Sequence, residues 1–136
     1  MSDHVQRILV ATDRSTTADY AVAWAAEMAE RYEAELVLLQ VGAAAVEELQ
    51  AFARDVAGDR GRARVASGDD PAKVICEVGE DEDVDVIVVG NVGMSGRKEF
   101  LLGNVPNRVS HNTRRTVVIV NTAVALEERK KKRFWQ

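Results

Sequence analysis

The chain has little with which to build anything but an α/β core. A single cysteine, Cys76, excludes an intramolecular disulfide, and its near absence suits a reducing compartment such as the cytoplasm. Aromatic residues make up only 5% of the sequence, so the core has to come from Val, Ile, Leu and Ala. No apolar run approaches the roughly 18 residues that a membrane span needs. The start, Met1-Ser2-Asp3-His4, lacks the basic and then apolar pattern of a secretory leader. Basic charge is also scarce in the body. Outside residues 127–136 (EERKKKRFWQ) there are 13 basic against 20 acidic residues, a net of −7. A nucleic-acid groove needs a basic stripe, so such a partner is not expected.

What is present fits one domain. The chain has 136 residues, 46% hydrophobic and 29% charged, enough to bury a core without a metal or disulfide. Strand and helix patterns alternate along it. Arg7–Ala11 is a short apolar strand, followed by Thr12-Asp13-Arg14-Ser15, a turn rich in capping residues. Ala18, Ala21, Val22, Ala25, Met28, Ala29 and Tyr32 recur at helical spacing, which predicts a helix over 16–32 with Ser15 or Thr16 as N-cap and Trp24 packed along it. Further strands are expected at 35–41, 62–66, 84–89 and 116–120. Further helices are expected at about 44–57, from Pro71 onward, and over 104–111.

Five strands separated by helices imply a parallel sheet buried on both faces. The expected fold is an α/β, doubly wound five-stranded parallel sheet of order 3-2-1-4-5 with helices on both faces, the outer strands being placed by analogy. The domain is assigned to 1–125. Residues 126–136 form a basic tail or the start of a linker to a further domain. The last strand would be an exposed apolar edge unless a second copy covers it.

In such a sheet a ligand binds beyond the carboxyl ends of the strands, where the winding reverses. That point lies between strands 1 and 4. The segments leaving them are Ala11-Thr12-Asp13 and Gly90-Asn91-Val92-Gly93. The second continues as GNVGMSGRKEFLLGNVPNRV, with Gly103 directly before a helix. Glycines let backbone amides approach a phosphate, and a helix start adds unpaired N–H groups and a favourable dipole. The plain alternative is that these glycines shape only a turn and a loop.

The spacing Gly90-x2-Gly93-x9-Gly103 decides between them, because it matches the glycine signature of the ATP-binding branch of the universal stress proteins. Ile8-Leu9-Val10-Ala11-Thr12-Asp13, Ser15, Phe100-Leu101-Leu102-Gly103-Asn104-Val105 and Val117-Val118-Ile119-Val120 also resemble that family. The resemblance covers residues about 5–122. It implies that Ala11, Thr12 and Asp13 meet the ribose or adenine, and that Val41 contacts adenine. Gly90, Asn91, Val92, Gly93, Gly103, Asn104 and Val105 would then follow the phosphates. ATP with magnesium carried by its phosphates is the implied cofactor, with AMP or a cyclic nucleotide as alternatives. A homodimer through the last strand is the implied assembly.

Two departures from the pattern stand out. Asn104 replaces the usual Ser or Thr, although an amide can still donate to a phosphate or cap a helix. Arg14 stands where many members have Gly. It would either reach a phosphate or lie in solvent, the second being the default. Arg97 and Lys98 likewise read as mobile counter-charges or as a solvated loop tip. Cys76 reads as a core residue. His4 and His111 have no second histidine near them in sequence to suggest a metal.

Catalysis finds less support than binding. The P-loop pattern fails because position 95 is Ser where Gly90 would require Gly. GxGxxG is absent after strand 1, and Asp13 lacks the acidic neighbour of a phosphoacceptor. No general base is placed by sequence, so at most slow ATP hydrolysis is expected. The competing reading is a dimeric interaction domain of the same fold that ignores nucleotide.

Overall fold

The computed structural model describes residues 5–91 and 104–122. The elements run β1 (Arg7–Ala11), α1 (Thr16–Tyr32), β2 (Glu35–Val41), α2 (Val46–Ala57), β3 (Gly61–Ala66), α3 (Pro71–Asp81), β4 (Val86–Gly90), α4 (Val105–Asn112) and β5 (Thr116–Val120). A 3-10 turn, Gly58–Arg60, joins α2 to β3.

Every strand pairing is parallel, and the sheet order is β3-β2-β1-β4-β5. The expected architecture is therefore the one found. β1 lies in the middle, with Ile8 opposite Leu36 on one side and Val86 on the other.

Strand alternation sorts the side chains into two cores. Ile8, Val10, Val86 and Val88 pack with Ala21, Val22 and Ala25 of α1 and with Leu49 and Ala53 of α2. Leu9, Val37, Ile87 and Val89 pack with Ile75 and Val78 of α3 and with Val105 and Val109 of α4. The helices thus cover both faces. β1 is buried from both sides, which explains its unbroken apolar run. Cys76 packs half-buried against the second core, and burial pushes its thiol up.

Local signals set the element ends. Ser15 Oγ accepts from Ala18 N at 3.2 Å and caps α1. Glu33 closes the same helix in a left-handed conformation, φ 56°. Pro71 opens α3 at a position that needs no N–H. Asp85 joins two strand starts, its Oδ2 accepting from Gln6 N at 2.7 Å and Arg7 N at 3.0 Å.

Three expectations shift. The second helix begins at Val46, not 44, because residues 43–45 are used to leave the sheet. The fourth strand begins at Val86, since Val84 N donates back to Gly79 O at the end of α3 and not to a neighbouring strand. Trp24 does not pack along α1 but stands 44% exposed. The small residues Ala21, Ala25 and Ala29 bring α1 close to the sheet and leave no room there for an indole.

Candidate functional site

β1 and β4 are neighbours whose chains leave on opposite faces. After β1 the chain enters α1, which lies over the first core. Beyond β4 it returns through α4, which lies over the second. Divergence of the two paths puts the switch point of the sheet at the carboxyl ends of β1 and β4, the position at which open α/β sheets take ligands.

On the β1 side, Ala11 is buried at the strand end. Thr12 is 0% exposed, and its N–H donates to Leu39 O at 2.9 Å. Its hydroxyl accepts from Arg14 N, also at 2.9 Å. Thr12 is thus used in building the turn. Asp13 is half-buried, and its Oδ1 accepts from Ser15 N at 2.9 Å. That bond orients the carboxylate. A carboxylate accepts up to about four hydrogen bonds, so capacity remains for a ligand hydroxyl. Val41, half-buried, ends β2 on the far side of β1.

On the β4 side, Gly90 is the last strand residue, opposite Val120. A Cβ placed on it would stand 2.7 Å from Thr122 Cγ2. The described structure therefore gives this glycine a packing reason independent of any phosphate. Asn91 is similarly engaged, its Oδ1 accepting from Thr122 N at 2.9 Å and its N–H donating to Val120 O at 2.8 Å. The ends of β4 and β5 are tied together by these bonds. Val92, Gly93, Gly103, Arg97 and Lys98 lie outside the described residues.

The start of α4 departs from a simple capped helix. Asn104 precedes it with φ 55° and ψ 44° and makes no side-chain cap bond. Capping requires extended φ and ψ at this position, and the left-handed backbone turns the amide away from the first-turn N–H groups. Pro106 contributes no N–H, so this helix start has one donor fewer. Val105 is buried against the second core. Arg108 braces the helix, its Nη1 donating to Asp70 Oδ1 at 2.8 Å, and the guanidinium holds Asp70 below the usual carboxylate range.

Arg14 is exposed, as the default reading has it, with 41% of its side chain in solvent, but it is also paired. Its Nε donates to Asp19 Oδ1 at 3.1 Å, and its guanidinium carbon lies 3.5 Å from the centroid of the Phe52 ring. Phe52 was not suggested by the sequence, because the contact joins the turn after β1 to a distant helix, α2. Thr122 was also missed. Its signal was a small polar residue just after an apolar strand, opposite a glycine that ends another. Among the described residues no group of three or more His, Cys, Asp or Glu is arranged for a metal. None of the described helices is long and apolar enough to cross a membrane.

The sheet order and the helices on both faces define a doubly wound α/β domain whose switch point lies between β1 and β4. The model of the universal stress protein family matches residues 4–49 and 41–121, and the chain belongs to that family. Universal stress protein YxiE of Bacillus subtilis is 28% identical over 84% of this chain and 97% of its own length. Universal stress protein Slr1101 of Synechocystis is 42% identical over 52 residues, spanning 38% of this chain and 48% of that protein. The crystal structure of a universal stress protein in complex with cAMP superposes with a TM-score of 0.73 at 30% identity, covering 88% of this chain and 99% of that one.

Proposed function

We propose that this chain is a regulatory module that binds an adenine nucleotide between the ends of β1 and β4. ATP is the first candidate, and AMP or a cyclic nucleotide the next. The observation that carries this reading is the oriented, half-buried Asp13 just beyond the carboxyl end of β1. The similarity, over most of both chains, to a protein crystallised with cAMP supports it. Asp13 would accept from ribose hydroxyls, with Ala11, Thr12 and Val41 forming the wall beside it. Gly90, Asn91, Val92, Gly93, Gly103, Asn104 and Val105 would line the phosphate path. The single carboxylate at Asp13 makes no cage for magnesium, so the ion would travel with the phosphates. Binding rather than turnover is the proposed role, in the cytoplasm.

The test is nucleotide content. Protein purified and then denatured should release nucleotide separable by anion exchange, and a calorimetric titration with ATP and magnesium should show one site per chain. Neither nucleotide nor heat would refute the reading.

A second reading, an interaction domain that ignores nucleotide, is favoured by the uncapped start of α4 and by Pro106. In both readings we propose a homodimer through β5. This strand lies at the end of the sheet order, and its Ile119 is 42% exposed. Unpaired apolar edges invite a second strand, and a two-fold axis closes the pair.

A further inference from the structure

We propose that Arg14 is a positioning residue for the ligand cleft: its side chain straps the turn that presents Asp13 to both α1 and α2. This rests on the reading of that cleft as a nucleotide site.

The first observation is backbone strain. Arg14 has φ 69°, a left-handed conformation that costs a residue with a Cβ more than it costs glycine. A long side chain persists in such a place when its surroundings hold it. Here three contacts do so. The backbone N–H donates to Thr12 Oγ1 at 2.9 Å, and Thr12 is itself fully buried. The guanidinium spans both carboxylate oxygens of Asp19, Nε at 3.1 Å and Nη2 at 3.3 Å. It also covers the face of the half-buried Phe52 at 3.5 Å, within the range of a cation–π contact.

These contacts reach three elements from one residue. Asp19 is in the first turn of α1 and Phe52 is in α2. Asp13 sits between Thr12 and Arg14, and its carboxylate is aimed by Ser15 N on the other side of Arg14. Its direction therefore depends on the turn that Arg14 holds. The second helix matters because it follows Val41, the candidate wall on β2. Its own start is weakly fixed: Ala45 makes no side-chain cap bond, and Gly42 before it has φ 112°. Through Phe52, Arg14 ties the helix beyond Val41 to the turn of Asp13. The strap thus fixes Asp13 relative to Val41, the two parts of the wall that the β1 side would offer the ligand.

The experiment compares the parent with Arg14→Gly, Arg14→Lys and Phe52→Leu, using AMP as the probe in calorimetry alongside thermal melts. Arg14→Gly removes the left-handed cost together with the strap, so its melting temperature should stay at the parent value. Its AMP affinity should nevertheless fall about fivefold or more. Arg14→Lys keeps a cation over Phe52 and should recover part of the loss. Phe52→Leu leaves the turn's backbone chemistry intact and should weaken binding as Arg14→Gly does. Affinities that follow the melting temperatures, or parent-like binding by Arg14→Gly, would overturn the proposal.

A parent that binds no AMP, ATP or cAMP would sink the nucleotide reading instead. Amide exchange in the ligand-free protein then decides on the strap. Phe52→Leu should speed exchange in the turn 12–15 and in the first turns of α2 together. Unchanged exchange in the turn would overturn the strap.

Discussion

Glu82→Gln should destabilise the protein by an amount that disappears in acid. Glu82 follows α3 and is only 11% exposed at its side chain. Its Oε1 accepts from Arg62 of β3, and its Oε2 lies 2.7 Å from Arg64 Nη1. Arg62 and Arg64 lie two apart on an edge strand, so both side chains emerge on the face where α3 ends. The hydrogen bond from Arg62 leads, and with Arg64 it pulls the Glu82 carboxyl from 4.5 to about 2. A depression of that size corresponds to about 3 kcal/mol at most. Both arginines are partly solvated, at 38% and 34% exposure, and Arg62 keeps Glu35 while Arg64 keeps Asp81. The expected loss at neutral pH is therefore about 1–2 kcal/mol. Because the folded-state pKa lies below the unfolded one, this stability is present in full above pH 4.5 and disappears as pH falls toward about 2. Urea melts of parent and variant at a series of pH values read it directly. The two midpoints should differ at pH 7 and converge near pH 2. A gap that is constant with pH would mean that the amide disturbs packing and that the charge contributes nothing.

Gly90→Ala should cost about 1–3 kcal/mol, because its Cβ would stand 2.7 Å from Thr122 Cγ2; the double variant with Thr122→Ser, which deletes that methyl, should recover most of the loss in chemical denaturation. Asp13→Ala and Gly103→Val should each weaken nucleotide binding at least about tenfold, or ~1.4 kcal/mol, with the circular dichroism spectrum unchanged; calorimetry showing parent affinity in both would put the site elsewhere. Ile119→Asp should turn the proposed dimer into a monomer in sedimentation velocity, since it places a charge on an exposed apolar residue of the β5 edge. Gly61→Ala should destabilise by about 2 kcal/mol or more, because the new Cβ would lie 2.2 Å from the Ala53 carbonyl oxygen where α2 crosses β3; a thermal melt at the parent temperature would refute that contact.

Those glycines mark where sequence reasoning reached and where it stopped. The five strands were legible because burial on both faces imposes unbroken apolar runs, as in Val86–Val89, and because capping chemistry is local, whereas the places of the outer strands came by analogy and not from the residues. Ser15 and Pro71 could be read from their immediate neighbours. The edge strand β3 was legible for a related reason. Its alternation of Arg62, Ala63, Arg64 and Val65 reports one face turned to the first core and one turned to charge.

The switch point was legible in the sequence, but the surroundings of the residues expected there were not. Its location follows from where α1 and α4 part, which is a property of topology. Individual roles depend on residues far apart in the chain. Gly90 is read differently once Thr122 is known to fill its Cβ position, and Asn91 once its side chain is bonded to the residues after β5. Asn104 was expected to be able to cap α4, and its left-handed backbone prevents that. Arg14 is the sharpest case. Solvent is the default for a cation in a turn, and Arg14 is indeed exposed, yet a ring on α2 and a carboxylate five residues on also hold it. Neither partner is suggested by the four-residue turn itself. A turn's residues declare its shape locally, while what the turn is fastened to is decided by the packing of the helices around it. In this protein that packing sets the direction in which Asp13 points.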